Sequence, residues 1–167
     1  FPRYDEKYGV TPFERYNSKS YKAQPNYFIH RTYSPQGDRF YFTEDNAVKI
    51  DGMRLDIEED YKNGYLTRGE YCFLLASLIE SATKVSNISG TYQAFFKFWE
   101  SRALKTFVLS PIEFRPTDVT IRGHQFYCRD ANELAREISG DIVYIDPPYT
   151  ATQYANSYHV LETIARY

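Results

Sequence analysis

The fold of this chain is constrained most by residues 124–145. His124–Cys128 reads as a strand, Asp130–Ile138 as a helix closed by Gly140, and Ile142-Val143-Tyr144-Ile145 as a short buried strand bounded by turn formers. Strand, helix and strand in so short a stretch form a βαβ unit, whose strands run parallel with a right-handed crossover. Phe107-Val108-Leu109, ahead of a loop framed by Pro111 and Pro116, adds another candidate strand. Residues 107–167 are therefore expected to form part of an α/β domain.

The sequence before residue 107 has a different character. Residues 1–42 are rich in Tyr, Pro and Ser and show little periodicity, so a loop-rich segment is expected. Short extended pieces are expected at Tyr27–Tyr33 and Arg39–Phe42. Residues 43–106 read as a small helical subdomain. Thr43 is a good N-cap, with Glu44 and Asp45 at the positive end of the helix dipole. Ala47, Ile50, Met53 (or Arg54) and Ile57 recur at helical spacing until Asn63-Gly64. Thr67-Arg68-Gly69-Glu70 fits a capping box, and Leu74, Leu75, Leu78, Ile79 and Ala82 form the buried face of a second helix. A third helix is expected over Tyr92–Arg102, with Phe95, Phe96 and Trp99 on one side.

Composition excludes little. The formal net charge is −2, so bulk charge does not point to nucleic acid, although a net value can hide a local basic face. Seventeen Tyr against one Trp suits wet, mixed surfaces. Two cysteines, Cys72 and Cys128, make no CxxC pair and no disulfide framework. There is no membrane-length apolar run and no signal segment, so a reducing cytoplasm is the default expectation and no membrane partner is expected. The chain opens at Phe1 without Met and stops at Tyr167 inside a helical pattern, which reads as a piece of a longer chain.

The chemistry is carried by Asp146-Pro147-Pro148-Tyr149, directly after the Ile142–Ile145 segment. In open α/β sheets, ligands bind outside the carboxyl ends of strands. Asp146 puts a carboxylate there. Pro147 and Pro148 fix two φ angles and remove two N–H donors, leaving rigid carbonyls that only accept. A carboxylate and a carbonyl together take both N–H bonds of a ring-borne amine, which favours a more pyramidal nitrogen with an available lone pair. Tyr149 offers a ring on which an extruded base can stack, worth ~1–3 kcal/mol. Asp-Pro and Pro-Pro are also ordinary turn formers, so a plain strand-to-loop turn is the competing reading.

Asp146–Tyr149 matches the motif of amino-group methyltransferases that use S-adenosylmethionine. With Phe126–Asp130, Asp141–Ile145, Gln153-Tyr154 and Tyr158–Tyr167, the chain resembles DNA adenine-N6 methyltransferases of the DNA adenine methylase class. Tyr33-Ser34-Pro35, Phe40–Asn46 and Leu74–Asn87 resemble that family's middle region. The resemblance implies a Rossmann-like S-adenosylmethionine-dependent sheet with a helical target-recognition subdomain. It implies double-stranded DNA as partner, with a cognate restriction endonuclease as a further one. The family's Gly-rich donor-binding turn has no counterpart among the eight scattered glycines, so it is expected to precede Phe1, leaving this chain without independent activity.

Under that resemblance Asp146, Pro147, Pro148 and Tyr149 are the catalytic candidates. Asp130 and Asp146 are the cofactor-binding candidates. An acidic residue at position 130 can accept from the donor's adenine amine, and it can equally cap the helix that begins at Ala131. Asn87, Tyr92, Lys97, Lys105, Gln153 and Tyr154 are the DNA-binding candidates. Lys84, Arg102, Arg3, Arg15, Lys19 and Lys22 are further cations suited to phosphates, and Ser89 and Gln93 are polar enough to read base edges. The alternative for each is a solvated surface residue. His159 reads as a helix-surface residue. No His, Cys and carboxylate spacing suggests a metal, and no Ser-His-Asp motif is present. Cytosine-N4 methylation, an RNA substrate, and a non-catalytic DNA-binding or specificity piece of a split or degenerate system remain alternatives.

Overall fold

A computed structural model of the protein describes residues 1–113, 125–146 and 153–166. The chain divides into two compact units, Phe1–Ile112 with Gln153–Tyr167, and Glu113–Thr152. The larger unit is helical. Its elements are α1 (Pro2–Tyr8), α2 (Pro12–Ser18), α3 (Phe28–Tyr33), a 3-10 turn (Pro35–Gly37), α4 (Glu44–Lys62), α5 (Arg68–Lys84) and, from the end of the sequence, α7 (Tyr154–Arg166). The smaller unit holds α6 (Ala131–Leu134).

Helices α4 and α5 begin and end where local chemistry directs. Thr43 Oγ1 accepts from Asn46 N at 3.3 Å, and the chain leaves α4 through Asn63 and Gly64, the latter at φ 78°. Thr67 and Glu70 form the reciprocal capping box that opens α5. Ala47, Ile50, Met53 and Ile57 of α4 pack with Leu74, Leu78 and Ala82 of α5 in the core, and Leu75 and Ile79 lie at its margin.

α4 also buries polar side chains, and each holds a different segment. Asp51, fully buried, accepts from Ile29 N at 3.0 Å and His30 N at 2.7 Å, the first turn of α3. It serves α3 as an N-terminal anion supplied from another helix, since Tyr27 at the N-cap makes no side-chain cap. Asp60 accepts from Tyr8 Oη at 2.9 Å, Tyr16 Oη at 2.8 Å and Arg15 Nη1 at 3.1 Å, so one carboxylate ties α1 and α2 to α4. Burial, and then Asp60, push the Tyr8 hydroxyl up to about 12. Asn46 donates to the carbonyls of Ala103 and Lys105 and accepts from Phe107 N, which fixes residues 103–107. Gly52 admits the Tyr21 ring, because a Cβ there would stand 2.1 Å from Tyr21 Cδ1.

Several expectations are corrected. Residues 1–42 are not loop-rich: Pro2 and Pro12 stand at the starts of α1 and α2, where a missing N–H is harmless, and Thr11 with Glu14 makes a second capping box. Tyr27–Tyr33 is helical rather than extended, because Asp51 satisfies its first amides. Arg39–Phe42 is a turn, with Phe42 N bonded to Tyr33 O at 3.0 Å. Tyr92–Arg102 forms turns and bends with an Ile88–Phe95 bridge instead of a third helix. Tyr residues concentrate in the interior as well as at wet surfaces: Tyr4 and Tyr16 are fully buried, and the Tyr16 hydroxyl reaches a buried carboxylate.

Among the described residues there is no strand. Phe107–Leu109 has no regular structure, and its Leu109 backbone pairs with the side chain of Asn17, donating and accepting at 2.9 Å. Gln125–Cys128 of the expected first strand is irregular, and His124 lies outside the described residues. Ile142–Ile145 is irregular and exposed rather than buried, with 74–89% of each side chain open to solvent. A strand is completed by a neighbouring strand that takes its N–H and C=O groups, and among the described residues none of these segments has one. The helix expected at Asp130–Ile138 is limited to Ala131–Leu134 followed by a turn.

Asp51→Ala removes the acceptor for two α3 amides. It is expected to destabilise the protein by about 2–4 kcal/mol, measured by denaturant unfolding, because the donors are left unpaired beside the core.

Candidate functional site

In the smaller unit, Asp130 caps α6. Its Oδ1 accepts from Asn132 N at 2.9 Å and Glu133 N at 3.1 Å. Both bonds fall on one oxygen, and the residue is exposed, so Oδ2 can still accept an exocyclic amine from outside. The capping role expected of Asp130 is thus present. Arg129 beside it forks onto Glu137 at 2.5 and 2.6 Å, which braces the turn after α6. Asp146 follows the exposed Ile142–Ile145 run and is itself exposed. Pro147, Pro148 and Tyr149 lie outside the described residues.

In the helical unit, α7 is held along its length. Val160 and Ile164 are fully buried. Arg54, 2% exposed, donates Nε to Ile164 O at 2.9 Å and Nη2 to Ala165 O at 3.4 Å, placing a cation on the negative end of the helix. The same guanidinium pairs with Glu58 at 2.9 Å, and Tyr71 Oη donates to Glu58 at 2.7 Å. Near the other end, Gln93 Nε2 donates to Ser157 Oγ at 2.8 Å, and the His159 ring lies 5.6 Å from Tyr33 and 5.7 Å from Tyr41. His159 is therefore partly enclosed by aromatic rings rather than a plain surface residue. Gln153 is exposed, and Tyr154 is half-exposed and edge-on to Tyr158 at 5.5 Å. A groove of about 740 Å³ runs along this face past Tyr158 and Glu162.

The DNA-binding candidates separate by burial. Asn87 is fully buried. Its Nδ2 donates to Phe96 O and Phe98 O, both at 3.0 Å, and its Oδ1 accepts from Glu100 N at 3.1 Å. Tyr92 is 3% exposed, stacked with Tyr41 and sharing a hydroxyl bond with Thr83 at 3.2 Å. Neither side chain can meet a base edge, so both expectations are withdrawn: these residues build the 88–100 loop. Lys97 and Lys105 are exposed, as direct phosphate contacts require. Arg15 is engaged by Asp60 and lies 3.9 Å from the Tyr8 ring centroid, which makes it structural. Arg102 is bonded to Glu100 and to Ile88 O. Sequence reasoning missed Lys49, which joins Lys19 and Lys105 around one cleft; only its distance in sequence from the other two concealed it.

The model of D12 class N6 adenine-specific DNA methyltransferases matches residues 9–167, and the chain belongs to that family. It is 57% identical to the modification methylase LlaI of Lactococcus lactis subsp. lactis over 99% of this chain and 27% of that protein. It is 37% identical to the type II methyltransferase M.FokI of Planomicrobium okeanokoites over 99% of this chain and 26% of that protein. With M.NlaIII of Neisseria lactamica it shares 46% identity over 78% of this chain and 38% of the relative. The chain thus spans about a quarter to two-fifths of the length of these relatives. No solved structure matches it significantly.

Two outcomes follow from this geometry. Asn87→Ala leaves several loop backbone groups without partners and is expected to lower stability by about 3 kcal/mol by calorimetry, even without DNA. Burial alone would raise the Glu58 carboxyl, but Tyr71, Arg54 and Lys62 outweigh it and hold it below the ordinary glutamate value. Its folded-state value is depressed, so its stabilisation is present above the ordinary glutamate range and is lost as pH falls through and below it. Unfolding midpoints measured against pH should fall in that window, and less so in Glu58→Gln.

Proposed function

We propose that this chain supplies the target-facing helices and the methyl-transfer motif of a site-specific DNA adenine-N6 methyltransferase. The observation that carries this reading is the family match across residues 9–167, which includes Asp146-Pro147-Pro148-Tyr149. Physical support comes from Ile142–Ile145. Four consecutive apolar residues exposed to water are unstable in isolation, and they lead straight into Asp146. We propose that in the whole protein this run enters a parallel, Rossmann-like sheet, with Asp146 at its carboxyl end.

The target adenine is rotated out of the duplex at a cost of a few kcal/mol. Stacking on Tyr149 offsets part of that. The Asp146 carboxylate and the Pro147 carbonyl accept the two N–H bonds of N6, hold the nitrogen with its lone pair directed outward, and fix its orientation, while rigid Pro148 keeps the acceptor geometry from relaxing. S-adenosylmethionine supplies the electrophilic methyl group. Asp130 would hold the donor by accepting a hydrogen bond from its adenine amine. Positioning supplies much of the acceleration, and no covalent enzyme intermediate is required. Gln153 and Tyr154 line the approach to the base, and Lys97 and Lys105 meet the DNA backbone. Relatives named as modification methylases and type II methyltransferases support a partnership with a restriction endonuclease.

The test is nucleoside mass analysis of DNA from cells expressing the whole protein. Wild type is expected to raise N6-methyladenine and not N4-methylcytosine. Asp146→Ala should lower the rate at least about 100-fold, a magnitude typical of removing one pre-organised polar group from a transition state. Full-rate adenine methylation by that variant would remove Asp146 from the mechanism, and N4-methylcytosine as product would move the chain to the cytosine class.

A further inference from the structure

Lys19, Lys49 and Lys105 come from three separate segments and line one cleft of about 560 Å³. Lys19 lies just after α2, Lys49 in the second turn of α4, and Lys105 in the loop beyond the 88–100 segment. Ser20, Thr43 and Thr106, each bearing a hydroxyl, also line the cleft. This convergence is not a by-product of composition, because the chain is net negative at −2.

The cleft is built rather than incidental. Asn46, 3% exposed, holds the Lys105 carbonyl at 2.9 Å, so a buried α4 side chain sets where that lysine leaves the backbone. Lys19 is steadied by Asp56 at 2.7 Å, and Tyr21 donates to the same carboxylate at 2.6 Å. Asp45 also lines the cleft and works against an anion. Lys49 and Lys105 form no salt bridge among the described residues, so with Lys19 held by Asp56 and Asp45 counted against them the lining keeps a net positive charge. Thr43 Oγ1 accepts from Asn46 N, which leaves its own proton to donate. Lysines from three segments in one lining with three hydroxyl-bearing residues suit a tetrahedral anion with outward oxygens.

We infer that this cleft binds a phosphodiester of the DNA backbone, with Lys49 and Lys105 as its charged contacts and Lys19 as their braced neighbour. The inference rests on the proposed DNA methyltransferase function and specifies where the helical unit grips the duplex. Such a contact positions the protein and carries no base information.

The experiment measures equilibrium binding of the whole protein to a duplex containing its site, across a salt series, together with methylation. Each phosphate neutralised contributes about 0.9 to the slope of log affinity against log salt. The Lys49→Ala/Lys105→Ala variant is expected to lose about one unit of slope and about tenfold in affinity at low salt, to similar extents on specific and non-specific DNA. Lys49→Arg/Lys105→Arg should keep the slope, which separates loss of charge from loss of fold. Lys62→Ala, an exposed lysine on the same helix with its own Glu58 partner, should leave the slope unchanged. A wild-type slope in the double alanine variant overturns the cleft assignment alone. Wild-type protein that neither binds nor methylates DNA overturns the functional reading, and this inference with it. An equal loss of slope in Lys62→Ala shows a diffuse charge effect and also overturns the cleft.

Discussion

The structure depends on the polar side chains that α4 buries. A helix whose inward face holds Asn46, Asp51, Arg54 and Asp60 cannot be stabilised by apolar packing alone, since each group must find a partner or bear its desolvation. Each finds it on a different piece of chain. Asn46 takes residues 103–107, Asp51 the start of α3, Arg54 the end of α7, and Asp60 the aromatic side chains of α1 and α2. α4 is thus the hub around which short helices, too brief to persist alone, become ordered.

This arrangement has a functional consequence. Helix α7 follows the Asp146–Tyr149 motif in sequence, yet it belongs to the helical unit, with its last carbonyls on Arg54 and its middle buried through Val160 and Ile164. The expected boundary, with everything after residue 106 in a single α/β part, differs from this division. The loop built by Asn87 reaches the same helix through Gln93 and Ser157. The segment proposed to face DNA and the helix that continues from the proposed chemistry therefore belong to one helical unit.

Legibility in the sequence followed the range of the interactions. Caps at Thr43 and at Thr67 with Glu70 could be read because donor and acceptor are three residues apart. Thr11 with Glu14 carries the same signal, obscured by prolines read as punctuation when they were helix starts. Helix α3 was not legible, since its amides are satisfied by a carboxylate 22 residues away from Ile29. The spacing of Phe95, Phe96 and Trp99 suggested a helix, but the amide of Asn87 takes the carbonyls that a helix would use, and nothing local announces that. Asn87 and Tyr92 looked like surface readers because residue type alone does not report burial. The motif at Asp146 was readable because its proposed chemistry resides in adjacent residues.

The central claim is that the Asp146 carboxylate receives the amino group of an extruded adenine. The most direct measurement is the structure of the whole protein with target duplex and a non-reactive donor analogue. The account predicts an Asp146 oxygen about 2.7–3.2 Å from adenine N6, the normal hydrogen-bond range. An adenine still stacked in the duplex, or an Asp146 carboxylate turned into the core with another group on N6, would contradict it.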